Sequence, residues 1–180
     1  DFDEAYFSEK DYDFQIFDDP SKLYKRIREK NVPENKSRML AGYCWNWISK
    51  KDPNENDIIL EGGKLSAKWN LTQHGMLWIE KDESISEIGC IHTCQGLELD
   101  YVGVIIGPDL QLSGGHVITD VNERAKSDAS IKGLKKMMKE NPAEATRRGR
   151  EIVLNTYRTL LTRGMKGCYV YCTDKELANH

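Results

Sequence analysis

Short unbroken apolar runs alternate with longer stretches of helical spacing along this 180-residue chain. The runs are FQIFD (14–18), RMLAGYCW (38–45), SEIGCIH (86–92), YVGVIIG (101–107) and GCYVYCT (167–173). Apolar runs without polar alternation predict strands covered on both faces, as in a parallel sheet flanked by helices. Between the first two lies DDPSKLYKRIREKN, with Asp19 at an N-cap, Pro20 at the first helical position, and Leu23 and Ile27 on one face. That pattern predicts a helix of about three turns. Asn141-Pro142 opens a second helix, whose Ile152, Val153, Tyr157, Leu160 and Leu161 follow helical spacing and place Tyr157 in the core. It is expected to run to Gly164, with Arg163 in its last turn.

Weaker patterns fill the remainder. KKDPNENDIILEGGKLSAKW (50–69) is rich in turn residues and predicts short, antiparallel strands. Residues 107 to about 122, with Pro, three Gly and Ser, read as a loop, and DASIKGLKKMMKEN (128–141) as a helix weakened by Gly133. Strand, connection, long helix and strand then make a βαβ unit, and the fold class expected is α/β. No internal repeat or low-complexity linker is present.

Hydrophobic residues make up 39% and charged residues 31%, a balance that suits a globular chain with a sizeable core. No apolar run approaches the roughly 18 residues of a membrane span. The chain opens DFDEAYFSEK without Met, and is expected to be a piece of a longer protein. Its net charge of −3 lends no support to phosphate binding. Basic residues nevertheless concentrate in IKGLKKMMKE (131–140) and TRRGR (146–150), where a solvated helix surface is the competing explanation. Five Cys include no CxxC, and Cys168 and Cys172, four apart on a strand, would sit about 13 Å from each other, too far to share a zinc ion. Reduced thiols, no metal site and a cytoplasmic setting are expected.

The chemistry-bearing stretch is IHTCQGLELDYVGVIIG (91–107), where His, Thr, Gln and Glu immediately precede an apolar run. A P-loop is lacking: Gly63-Lys64 is followed by Leu65, and Ile58 stands where the first Gly would be. The run ending at Asp109 resembles a metal-binding Walker B strand, but Gly107-Pro108 breaks it before the carboxylate. His116 has no evident partner. Trp45, Trp47, Trp69 and Trp78 are possible base-stacking residues; packing is expected for Trp45, with Trp47 and Trp69 open.

IHTCQGLELDYVGV resembles motif V of superfamily-one helicases, and LNTYRTLLTRGMKGCYVY (154–171) resembles their motif VI, in the family's order. With SRMLAGYCWNW (37–47), the likeness is nearest to a bacterial group of Schlafen-like AAA, DNA/RNA-helicase-type proteins of unknown function and extends from about Tyr12 to Asp174. The resemblance implies a second, C-terminal RecA-like domain spanning residues 1–180, with a largely parallel central sheet, flanking helices, some antiparallel additions and an insertion at about 108–141. A first RecA-like domain bearing Walker A and B would precede it in the parent chain.

The resemblance further implies that Arg163 is an arginine finger reaching the γ-phosphate across the domain cleft; a cation completing a helix C-terminus is the alternative. Glu98 would accept a hydrogen bond from the nucleotide ribose, Gly96 would let the backbone approach, and Gln95 and Arg158 would be further nucleotide ligands. A solvated turn carboxylate is the alternative for Glu98. His92 and Thr93 would contact nucleic acid, Thr93 substituting for the family's Thr at the position of Cys90. ATP and Mg2+ belong to the full-length parent and DNA or RNA is the partner, so the isolated chain is expected to be inactive. A rival expectation is a nucleic-acid-binding or protein-interaction module that keeps the fold without using nucleotide.

Overall fold

The computed structural model describes residues 12–70 and 77–180. A seven-stranded sheet is built from β1 (Asp13–Ile16), β2 (Ser37–Ala41), β3 (Ile58–Leu60), β4 (Leu65–Trp69), β5 (Glu87–Gly89), β6 (Leu99–Ile106) and β9 (Gly164–Cys172). Its order is β1-β9-β6-β2-β5-β4-β3. Every neighbouring pair is parallel except β3 with β4. The fold is therefore α/β with a largely parallel central sheet, consistent with a RecA-like architecture. The turn-rich segment is antiparallel only at the sheet edge, since β4 continues the parallel array beside β5.

Side-chain alternation along the strands divides the core in two. Met39, Ala41, Ile105, Tyr169 and Tyr171 face α1 (Pro20–Lys30) through Leu23 and Ile27. Leu40, Val104, Val102, Cys168 and Val170 face α4 (Pro142–Leu161) through Val153, Tyr157 and Leu160. Helices thus cover both faces, which is why β2, β6 and β9 carry apolar residues at consecutive positions rather than at every second one. The N-cap of α1 is Asp19, whose carboxylate accepts from the Ser21 amide at 2.8 Å; such a cap contributes about 1 kcal/mol. Asn141 caps α4 in the same way through the Glu144 amide at 3.2 Å.

Several expected elements differ. The segment after β6 is a hairpin rather than a loop: β7 (Leu110–Ser113) pairs antiparallel with β8 (His116–Thr119) around Gly114-Gly115. His116 is exposed on β8, opposite Ser113. The helix expected over 128–141 is shortened to α3 (Leu134–Glu140), because Gly133, at φ +89°, stands outside it as the N-cap. α4 ends at Leu161, so Arg163 lies beyond its last turn. Gly164 is the first residue of β9 and not a helix-terminating glycine. A Cβ there would stand 2.1 Å from the carbonyl oxygen of Gly167, so the requirement is close approach. Trp69 and Trp78 are buried in the core, which removes both from any base-stacking surface, whereas Trp45 and Trp47 are partly exposed. All five cysteines are free thiols.

Candidate functional site at the amino ends of two strands

The run expected as a strand over 86–92 pairs only to Gly89. Cys90 then caps α2 (Ile91–Cys94), so Ile91 and His92 are helical. The Thr93 amide bonds back to the Cys90 carbonyl at 3.0 Å, and the Cys90 amide donates to the Thr93 hydroxyl at 3.4 Å. That hydroxyl in turn donates to Asn70 Oδ1 at 2.5 Å, so Thr93 is already engaged inside the fold. His92 stands exposed on the outer side of the turn.

From α2 the chain turns back to the start of β6 through Gln95, Gly96, Leu97 and Glu98. The Leu97 amide closes this turn on the Cys94 carbonyl at 3.0 Å. Gly96 has φ +79°, a left-handed conformation that costs a residue with a side chain roughly 1–2 kcal/mol. No atom lies within 4 Å of where its Cβ would be, so the constraint is conformational and the surface beside it is open. Leu97 packs toward the core, while Gln95 and Glu98 are exposed. Among the described residues, Glu98 has no hydrogen-bond or ion-pair partner.

Arg163 meets this turn from the other motif. Its carbonyl accepts the Leu99 amide at 3.0 Å, and Leu99 registers with Gly164 where β6 and β9 begin. Its guanidinium donates through Nε to the Thr159 carbonyl at 3.1 Å, and through Nη1 to the Leu97 carbonyl at 3.4 Å. Arg163 is half-buried and has no carboxylate partner among the described residues. Just after it, β9 carries one extra residue against β6, between the pairs Leu99–Gly164 and Tyr101–Gly167. Bulges of this kind bend a strand and re-aim its flanking side chains. Arg158 is exposed one turn back along α4.

Glu98, Gly96 and Arg163 therefore share one end of the sheet, the amino ends of β6 and β9. Open α/β sheets commonly bind ligands beyond the carboxyl ends of their strands. This rim lies instead at the amino ends of the strands. His92 and Thr93, following the carboxyl end of β5, belong to the other side of the same crossover.

A second polar cluster lies beyond the carboxyl end of β6, at the opposite end of the sheet from the site, and was not legible in the sequence. Asp109, discounted as a Walker B carboxylate, is fully buried and accepts from Arg124 Nη1 at 2.9 Å and from the Tyr157 hydroxyl. Arg124 Nε also meets Asp128 Oδ2 at 2.5 Å, and Asp128 Oδ1 accepts both the amide and the hydroxyl of Ser130. The Tyr157 hydroxyl accepts the Gly107 amide at 2.8 Å. This network fixes the 107–130 segment against α4. Removing one partner from such a buried pair typically costs about 3–5 kcal/mol. Among the described residues, no group of three or more His, Cys, Asp or Glu could hold a metal ion, and no helix is long and apolar enough to cross a membrane.

An uncharacterized protein of Saccharomyces cerevisiae, YPL245W, is 30% identical over 171 residues, which cover 93% of this chain and 36% of that protein's length. The chain thus spans about a third of this relative's length. No solved structure matches. The family model for the Schlafen group 3, DNA/RNA helicase domain matches residues 2–174. By that near-complete match, the chain belongs to the Schlafen group 3 DNA/RNA helicase domain family.

Proposed function

We propose that this chain is the C-terminal half of an ATP-dependent DNA or RNA translocase or helicase, a single RecA-like domain over 1–180 with an insertion at about 108–141. It would contribute its turn over 92–98 and Arg163 to an ATP site completed by an N-terminal RecA-like domain of the same parent chain. The observation that carries this reading is the backbone bond from Leu99 to Arg163, which holds the two stretches together at one end of the sheet.

The side chains present fit one wall of a nucleotide site. A guanidinium with no carboxylate partner, an exposed unpaired carboxylate and a left-handed glycine stand together, and a phosphate-cradling loop is absent from the sequence. Arg163 would hold charge at the γ-phosphate, with Arg158 as a second cation; a planar, permanently charged fork suits that task. Glu98 would accept a ribose hydroxyl, and Gln95 and the Gly96 backbone would line the nucleotide. ATP with Mg2+ supplies the phosphoryl group transferred to water. His92, and Thr93 if it releases Asn70, would face nucleic acid. A cytoplasmic setting suits the five free thiols.

A second reading, a binding module that uses no nucleotide, draws on the two backbone carbonyls already held by Arg163. Calorimetry with ATP and Mg2+ separates them. The full-length parent should bind and hydrolyse ATP while the 180-residue chain binds weakly or not at all. Turnover by the isolated chain, or none by the parent, would contradict the half-site.

A further inference from the structure

We infer that the groove between α2 and α4 is a track for the phosphates of single-stranded nucleic acid, an inference that rests on the helicase reading above. The groove holds about 610 Å³ and is lined by His92 of α2, Ser130, and Arg148, Asn155 and Thr159 of α4. Arg147 and Glu151 lie on the same wall.

Three observations converge on it. The first is charge. Residues 131–151 carry seven Lys and Arg against three Glu, in a chain whose net charge is −3. α3 packs against α4, and from this basic segment Arg147, Arg148 and Glu151 reach the groove wall.

The second is the state of the arginines. Arg147 spends Nε and both terminal nitrogens on Glu144 and Glu151, and so is neutralised in place. Arg148 gives only Nε to Glu144, at 2.8 Å. Its two terminal nitrogens have no partner among the described residues, and a guanidinium fork of that kind matches phosphate oxygens. Beside it, Asn155 and Thr159 line the groove as further donors, whereas the hydroxyls of Ser130 and Thr156 are already given to Asp128 and to the Ile152 carbonyl.

The third is how the walls are fixed. Ser130 is held by Asp128, which the buried Arg124 anchors. At the opposite end, the carbonyl of Thr159 accepts Nε of Arg163. A strand running from Arg148 past Asn155 to Thr159 would end at the residue whose carbonyl holds the side chain proposed to act on the nucleotide. That contiguity gives strand binding a physical route to Arg163.

The test uses the full-length parent and a fluorescein-labelled 20-nucleotide oligothymidylate or oligouridylate, read by anisotropy between 50 and 200 mM KCl. Arg148→Glu should weaken binding at least about tenfold and lower the salt slope by about one. Asn155→Asp, an exposed and nearly isosteric change, should weaken binding severalfold and serves where Arg148→Glu fails to fold. Lys25→Glu, on α1 across the sheet, should leave affinity unchanged. If the parent binds and both groove variants bind equally well, the track is overturned while the helicase reading stands. If the parent binds neither oligonucleotide, both fall. If the variants lose basal hydrolysis with unchanged strand affinity, the groove docks a neighbouring domain and the inference is overturned.

Discussion

The Leu99 amide donates to the Arg163 carbonyl across 3.0 Å, tying the residue after Glu98 to the start of β9. Two stretches far apart in sequence thus become one backbone unit at the amino ends of adjacent parallel strands. The same contact answers why polar residues precede the buried strand β6. They form the rim of the sheet where β6 and β9 begin together, and Glu98 is left exposed at that rim. The guanidinium of Arg163 reinforces the unit through the Leu97 carbonyl. Arg163 therefore combines a structural role with the catalytic one proposed for it, and a test must separate them.

Tyr157 offers a measure of how firmly the 107–130 segment is attached. Tyr157→Phe keeps the ring but leaves the buried Gly107 amide without its acceptor and Asp109 without one donor. The expected loss is about 1–3 kcal/mol in urea denaturation. A change below about 0.5 kcal/mol would mean that the hydroxyl contributes nothing net.

Acid should weaken the fold through a defined set of carboxylates. Lys175, then Lys64 and Tyr171, hold Glu61 down to about 2, and Arg147 and Arg148 hold Glu144 down to about 2. Burial pushes Asp128 up, but Ser130 and Arg124 outweigh it and its pKa falls below the ordinary value. Each group is more acidic folded than unfolded, so its contribution is present above the unfolded value and lost as pH falls. The melting temperature should decline from about pH 4.5 toward pH 2. The Glu61→Gln, Glu144→Gln double variant should show a shallower decline over that window. An unchanged slope would rule these two carboxylates out as the cause.

How much of this was legible in the sequence depends on the kind of signal. α1 and α4 announced themselves through Asp19-Pro20, Asn141-Pro142 and their apolar stripes, and the buried strands through unbroken apolar runs. The hairpin β7–β8 did not, because each arm is only four residues long, too short for the alternation of LQLS before Gly114-Gly115 to stand out. Trp69 stayed open in the sequence although Leu65, Ala67 and Trp69 alternate with outward residues along β4, a pattern pointing inward. The Asp109–Arg124–Asp128 cluster joins irregular segments, where spacing carries no information about contact. That Glu98 and Arg163 share a rim came from family resemblance alone, since nothing local links them. Their placement at the amino ends of the strands, by contrast, had to be seen.

The central claim is that Arg163 completes a nucleotide site in the parent protein, and the most direct measurement is nucleic-acid-stimulated ATP turnover by full-length Arg163→Ala beside its melting transition. Arginine fingers contribute on the order of 10³–10⁵ in rate, so a loss of at least about 10²-fold is expected, allowing for partial rescue by Arg158. Nucleotide affinity should change far less, because the contact strengthens in the transition state. Arg163→Lys should recover little, since an ammonium keeps the charge without the fork. Losing the Thr159 and Leu97 contacts should cost only about 0.3–1 kcal/mol of stability, the usual worth of a cation at a helix C-terminus. A folded Arg163→Ala protein with near-wild-type turnover would contradict the account, leaving Arg163 as a helix-end cation and nothing more.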